Sequence, residues 1–149
     1  MTGTSTEPGA RELLETAHVL FLTERTLEFP RLFAGHGVHE LPFAPPGVPA
    51  LLTGPAAIRD YLASASAAPM RLTEYRNEII RDTSSGLVAE YDACGVVTAT
   101  GKPYSMRHVL FVQAQGGEIT VWRDYWNPLD AVKVFGKLPE PWLTAGDDA

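Results

Sequence analysis

Apolar positions three or four residues apart mark two helices in the first half of the chain. The first pattern predicts an amphipathic helix over residues 10–28, which a proline ends. The second predicts a helix that opens at Gly54-Pro55, where proline needs no amide donor, and runs until Pro69. Between them, VHELPF alternates as a strand that stops at Pro42 or soon after, because the turn-forming APPGVP follows.

The second half of the chain changes to the period of two that is typical of strands. Four extended segments, separated by tight joints rich in Gly, Pro, Ser and Asp, are predicted over residues 71–81, 86–100, 104–115 and 118–126. Asn127 then caps a last helix, with Pro128 in its first turn and Gly136 at its end. This order predicts an α+β fold in which a curved antiparallel sheet wraps over helices and leaves a cavity.

Composition and charge narrow the classes of partner. The 149 residues, 45% apolar and 20% charged, fit one domain, which we place at residues 8–137 with flexible tails at 1–7 and 144–149. The net charge of −6 without a basic cluster gives no support for nucleic-acid binding. No stretch approaches the roughly 20 apolar residues of a membrane span, and the first residues lack a signal-peptide pattern. We therefore expect a cytoplasmic protein that binds neither membrane nor nucleic acid.

The segment WRDYW places a carboxylate among aromatic residues. Because side chains alternate along a strand, Trp122, Asp124 and Trp126 share one face. If that face is concave, desolvation raises the pKa of the carboxyl group toward the range of a general acid or base. The alternative is that Asp124 faces solvent or pairs with an arginine on a neighbouring strand.

The partner of Asp124 depends on the sheet register. A two-residue turn at Gly116-Gly117 would place Asp124 opposite Val109, whereas a slip of one residue would set His108 beside it. His108 is then a proton partner or an ordinary sheet histidine. Arg107 is either a group that stabilises a developing enolate or one half of an inter-strand salt bridge to Glu90 or Asp92. The sequence leaves these alternatives open.

Other candidate pocket residues come from the first strand, the second helix and the aromatic strand positions. His39 and Glu40 point to opposite faces, so at most one enters the cavity. Tyr61 and Tyr104 are possible donors to a carbonyl oxygen, although a core position is the default for Tyr61. The predicted substrate-binding residues are Trp122, Trp126, His39, Glu40, Phe43, Tyr61 and Tyr75.

Two segments, ELPFAPPG at 40–47 and RDYWNPL at 123–129, carry a resemblance to a known family. Residues 10–136 resemble the SnoaL-like polyketide cyclase and ketosteroid isomerase superfamily, which has the nuclear transport factor 2-like fold, and within it the phenazine-biosynthesis A/B proteins. The resemblance implies a cone-shaped sheet, a homodimer formed through the outer sheet face, and a small hydrophobic or aromatic substrate. It also implies that no metal or organic cofactor takes part.

The resemblance further implies roles for individual residues. Asp124 matches the acidic proton-transfer position of the RDY stretch, and Tyr104 matches a tyrosine that lines the family pocket. The phenazine proteins also use a histidine near the second helix, whereas residues 54–69 contain none. The nearest histidines, His39 and His108, belong to strands, which counts against phenazine condensation itself.

The leading expectation is a cofactor-free isomerase or cyclase of natural-product, antibiotic-type secondary metabolism. Asp124 would be the base, and Tyr104 with Arg107 or His108 would polarise the substrate oxygen. A non-catalytic protein that binds an aromatic metabolite is the main alternative. A limonene-epoxide-type hydrolase would need an Asp-Arg-Asp relay, and Val109 stands where the second carboxylate should follow Arg107. Serine-hydrolase, zinc-peptidase and nucleotide-binding motifs are missing from the sequence.

Overall fold

A computed structural model describes residues 6–144 of the chain. Within these residues, the helices are α1 (Ala10–Leu22), α2 (Pro55–Ala65) and α3 (Pro128–Phe135), with 3-10 helices at Thr26–Leu32 and Glu140–Trp142. The strands are β1 (Phe33–Glu40), β2 (Leu51–Thr53), β3 (Met70–Asp82), β4 (Gly86–Val97), β5 (Pro103–Gln115) and β6 (Glu118–Trp126).

All six strands form one curved sheet in the order β2-β1-β6-β5-β4-β3. Neighbours are antiparallel except β1 and β6, which pair in parallel and set His39 beside Trp122. The helices pack on one face of the sheet around a fully buried core that includes Leu14, Phe29 and Leu110. The predicted α+β fold, with a curved sheet over helices, is confirmed.

The first helix is shorter than predicted. It ends at Leu22 because the Thr23 hydroxyl donates to the carbonyl of Val19, at 2.7 Å, and Glu24 adopts a left-handed φ of 60°. The apolar pattern that continues to residue 28 belongs to the 3-10 helix instead. The short edge strand β2 was also missed, since three residues are too few to show alternation.

The last helix begins and ends as predicted. The Asn127 side chain accepts a hydrogen bond of 3.0 Å from the Leu129 amide, Pro128 is in the first turn, and Gly136 closes the helix with a φ of 80°. Because this helix starts directly after β6, it fixes the end of the strand that carries Asp124.

Most of the two predicted tails, residues 1–5 and 145–149, lies outside the described residues. Thr144, at the start of the second tail, bonds the carbonyl of Gly47 through its amide and its hydroxyl, at 2.8 and 3.2 Å. From residue 6 to 144, no helix has both the length and the apolar character needed to cross a membrane.

Candidate active site

The concave face of the sheet and the helices above it enclose a cavity of about 840 Å³. Apolar and aromatic side chains form most of its wall, which also includes the charged residues Glu24, Arg25, Glu28 and Arg71. The lining includes His39, Tyr75, Tyr91, His108, Trp122 and Asp124. Trp122 is buried and meets Phe29 nearly perpendicularly, with ring centroids 4.9 Å apart.

Asp124 and His108 meet inside this cavity. The Oδ1 atom of Asp124 lies 2.8 Å from Nδ1 of His108, and each side chain is about one-sixth exposed. The turn at Gly116-Gly117 is as predicted, but a bulge at Thr120 displaces the register beyond it. Asp124 therefore pairs with Leu110, and neither register weighed from the sequence is the observed one. His108 lies two residues farther along the same face, so the two side chains meet diagonally.

Asp124 determines the protonation of His108. Burial by itself lowers the pKa of the imidazole, because it disfavours the charged form. The negative charge of Asp124 and the hydrogen bond between the two groups act in the opposite direction, and the net effect raises the pKa of His108 above its ordinary value. The site therefore favours an imidazolium that donates Nδ1–H to the carboxylate.

His39 is the residue of the first strand that enters the cavity. Its side chain is buried beside Trp122, and its Nδ1 atom has no hydrogen-bond partner among the described residues. Burial lowers the pKa of His39 to about 4, despite the opposing influence of Asp124, so the ring is neutral near pH 7. Glu40 points to the other face, where it accepts a hydrogen bond of 3.0 Å from Arg123, and the prediction that Glu40 binds substrate is wrong.

Sequence reasoning missed Tyr91, whose ring lies next to that of His108. The two residues are direct partners on β4 and β5, and their rings stack with centroids 5.3 Å apart and planes 11° from parallel. Tyr75 meets Tyr91 edge-on at 5.2 Å. Burial, together with the charge of Asp124, raises the pKa of both tyrosines far above 10, so both keep their protons. The alternation that turns Glu90 and Asp92 outward could have identified Tyr91 as an inward residue.

A second missed residue, His18, supports Tyr75 from the side of α1. The two rings stack with centroids 3.7 Å apart. Burial is the main cause that lowers the pKa of His18 to about 4, and the charge of nearby His108 lowers it further. The carboxylate of Glu78 is 3.7 Å from Nδ1, too far for a hydrogen bond, and does not offset this burial. His18 lies on the apolar stripe of the helix, which is the signal that could have placed it in the interior.

Tyr104 lines the cavity, but its hydroxyl group does not face Asp124. The oxygen is buried without a hydrogen-bond partner among the described residues and lies over the backbone of Gly95. Burial raises the pKa of Tyr104 to about 12. Because Tyr104 is four residues from His108 along β5, their backbones are roughly 13 Å apart.

Arg107 lies on the outer face of the sheet. Its guanidinium donates to Asp92 at 3.0 Å and approaches Glu90 at 3.6 Å, which is the inter-strand salt bridge considered as the alternative. The prediction that Arg107 stabilises a substrate oxygen is therefore wrong, because odd-numbered side chains of β5 point away from the cavity. Among residues 6–144, the partner of Asp124 is His108 and not an arginine, so the epoxide-hydrolase type of Asp-Arg-Asp relay is not formed there.

Three other predicted pocket residues also lie outside the cavity wall. Phe43 is 60% exposed and packs edge-on against Tyr125 on the outer face. Tyr61 donates its hydroxyl proton to the carbonyl of Trp142 at 2.8 Å, and Trp126 packs on the ring of Trp142 at 5.5 Å. Trp142 itself lines the cavity. Sequence alternation placed Trp126 on the correct face but could not show that the C-terminal segment covers it.

A curved, mostly antiparallel sheet that closes with helices around a cavity is the architecture of the ketosteroid isomerase-like, or nuclear transport factor 2-like, proteins. Protein YesE of Bacillus subtilis strain 168 is 33% identical over 135 residues, which span 85% of this chain and 87% of the relative. A PhzA/B-like protein of Pseudomonas aeruginosa is 27% identical over 106 residues, 70% of this chain and 74% of that one. No protein-family model matches the sequence.

Solved structures agree with these relatives. A presumed isomerase from Bacillus subtilis superimposes with a TM-score of 0.77 and 29% identity, over 85% of this chain and 92% of that one. A phenazine biosynthesis-related protein from Pseudomonas aeruginosa gives a TM-score of 0.64 over 92% of each chain, and its 18% identity supports the fold alone. The chain belongs to the SnoaL-like polyketide cyclase and ketosteroid isomerase superfamily, with PhzA/B-like proteins among its relatives.

Proposed function

We propose that the protein is a cofactor-free acid–base enzyme that moves a proton at a carbon next to a carbonyl or imine group. Its substrate would be a small hydrophobic or aromatic intermediate of natural-product biosynthesis, and isomerisation or ring closure would follow. The observation that carries this proposal is the Asp124–His108 pair, which lies at 2.8 Å inside an aromatic-walled cavity. The family relationship supports chemistry of this type without naming the substrate.

Asp124, His108 and Tyr91 have different roles in the proton transfer. Asp124 accepts the proton as the carbon–hydrogen bond breaks, and the electron pair moves toward the carbonyl oxygen to give an enolate. His108 holds the carboxylate through Nδ1 and donates from its other nitrogen to that oxygen. Tyr91, whose raised pKa keeps its hydroxyl protonated, is the second donor. Asp124 then returns the proton to the same or a neighbouring carbon.

The base and the two donors suit neighbouring atoms of one substrate. A base must come within about 3 Å of the proton it removes, and a donor within about 3 Å of the oxygen that becomes charged. Tyr91 is stacked directly on His108, so its hydroxyl and the imidazole project from adjacent strands into the same end of the cavity. Tyr104, roughly 13 Å away along β5, is less suited to that task.

A non-catalytic protein that binds an aromatic metabolite is the second candidate. The stacked rings of Tyr91 and His108, with Tyr75 and Trp122 nearby, offer flat apolar surfaces that hold an aromatic ligand whether or not a proton moves. Catalysis and simple binding therefore differ in what happens to the bound molecule.

Hydrogen exchange separates the two functions. The protein is incubated in D₂O with a panel of cyclic β,γ-unsaturated ketones and aromatic ketones, and mass spectrometry follows deuterium uptake while absorbance follows conjugation. We expect wild-type protein to accelerate exchange of at least one probe, and Asp124→Asn to slow it by at least about 100-fold. Near-normal exchange by Asp124→Asn would remove this carboxylate from the mechanism.

Asp92→Asn is the matched control. Asp92 is also a strand carboxylate that pairs with a basic side chain, but it lies on the outer face beside Arg107 and Asn77. The Asp92→Asn variant should exchange deuterium into the probe at the wild-type rate. Circular dichroism checks that both variants fold. A probe that quenches tryptophan fluorescence in the wild type, yet returns without deuterium, would favour the binding function instead.

A further inference from the structure

A second cavity of about 880 Å³ lies between the β4–β5 turn, α3 and the C-terminal 3-10 helix. Tyr104 lines both cavities. Adjacent residues of the chain also divide between them: Met70 lines the first and Pro69 the second, while Trp142 lines the first and Pro141 the second. At Tyr104, therefore, one side chain separates the two spaces.

The Tyr104 ring fills this position because its strand neighbour has no side chain. Gly95 is the direct partner of Tyr104, and a Cβ atom on Gly95 would lie 2.6 Å from the tyrosine oxygen. The ring is 6% exposed and packs with Met106 and Ala131. The hydroxyl has no hydrogen-bond partner among the described residues, so packing rather than a hydrogen bond holds the ring in place.

We propose that Tyr104 is a partition that sets the upper length of the ligand in the first cavity. The inference rests on the proposed function, because it takes the first cavity as the substrate site. The preferred substrate is then a compact ketone or imine whose apolar part ends at the tyrosine ring. A smaller residue at this position would join the cavities and admit longer apolar substituents along Val97, Val134 and Phe135.

A length series of phenyl ketones with straight acyl chains of increasing carbon number tests the partition. Trp122 and Trp142 both line the first cavity, so quenching of tryptophan fluorescence reports binding. In the wild type, affinity should rise roughly fourfold with each buried methylene and then stop rising. In Tyr104→Leu, the rise should continue for several more carbons, because the second cavity becomes accessible.

Two further variants make the result specific. Tyr104→Phe keeps the ring and removes a hydroxyl that has no partner, so its length limit should match the wild type. Ala99 is an exposed residue that lines the second cavity, and Ala99→Trp placed in the Tyr104→Leu protein should occupy part of that space and shorten the limit again. Tyr104→Met replaces Tyr104→Leu if thermal unfolding shows that the leucine variant does not fold.

The outcomes either support or overturn the partition. A longer limit in Tyr104→Leu that Ala99→Trp shortens again supports it. The partition is overturned if Tyr104→Leu and the wild type have the same length limit, or if a longer limit persists unchanged with Ala99→Trp. It is also overturned if the wild type binds no ketone or shows no length limit. Because this experiment measures affinity, it is independent of the deuterium exchange that tests Asp124.

Discussion

Replacing His39 with glutamine is expected to remove a large part of the acid sensitivity of the fold. In the folded protein the imidazole is buried beside Trp122, its Nδ1 has no partner among residues 6–144, and burial lowers its pKa to about 4. In the unfolded chain the same group has a pKa of 6.5. The unfolded state therefore takes up a proton at a pH at which the folded state does not.

The size of the effect follows from these two values. The contribution of neutral His39 is fully present above pH 6.5 and is lost as the pH falls from 6.5 toward 4. At about 1.4 kcal/mol per pH unit, the loss is about 3 kcal/mol. That is a large share of the roughly 5–15 kcal/mol that stabilises a typical domain. His18, whose pKa is also lowered to about 4, adds a loss of the same sign that the His39 variant retains.

Urea unfolding at half-unit steps between pH 7.5 and pH 4.5, followed by tryptophan fluorescence, measures the loss. The free energy of unfolding should fall less steeply with acid in His39→Gln than in the wild type. The comparison between pH values removes any constant cost of burying glutamine. His36→Gln is the control, because it removes an imidazole that is exposed on the same strand. Equal slopes in His39→Gln and the wild type would refute the assignment of a neutral, desolvated His39.

Two other substitutions test the geometry of the sheet. Gly95→Ala should lower the free energy of unfolding by about 1–3 kcal/mol, because the new Cβ would lie 2.1 Å from the carbonyl oxygen of Arg71. Gly35→Ala is the control and should cause little change, because a Cβ atom at Gly35 would meet open space. Equal stability of the two variants in urea would contradict the close packing at Gly95. Arg107→Gln should leave the deuterium-exchange rate at the wild-type value, because the guanidinium is on the outer face. A loss of exchange with the fold intact would show that Arg107 contributes to catalysis after all.

Local rules predict much of this fold. The Asn127 cap, Pro128 and Gly136 set the last helix, and tight glycine joints define the strand meander, because each depends on a few neighbouring residues. Strand alternation also predicts that Asp124 and Trp122 share one face, and the structure shows that this face is the concave one. The family resemblance adds the cone shape, which alternation alone does not specify. These parts depend on backbone preferences that a short segment carries by itself.

The details of the site depend on contacts that a short segment does not show. The bulge at Thr120 arises inside a strand without a glycine or proline to mark it, and it shifts every pairing beyond it by one residue. It thereby brings His108 diagonally to Asp124. Arg107 lies on the outer face because of the alternation of β5 itself, and its partner there is Asp92 on the neighbouring strand. Trp126 is likewise covered by Trp142, sixteen residues later, through packing of the C-terminal segment.

The parallel pairing of β1 with β6 has a consequence for how the protein is made. It joins residues such as Glu40 and Arg123 that are 83 positions apart, so during synthesis β1 has no strand beside it on that edge until β6 has left the ribosome. The wall that contains His39 and Trp122 can close only then. A nascent chain interrupted within β5 would carry an open, apolar half-cone, a natural substrate for chaperones.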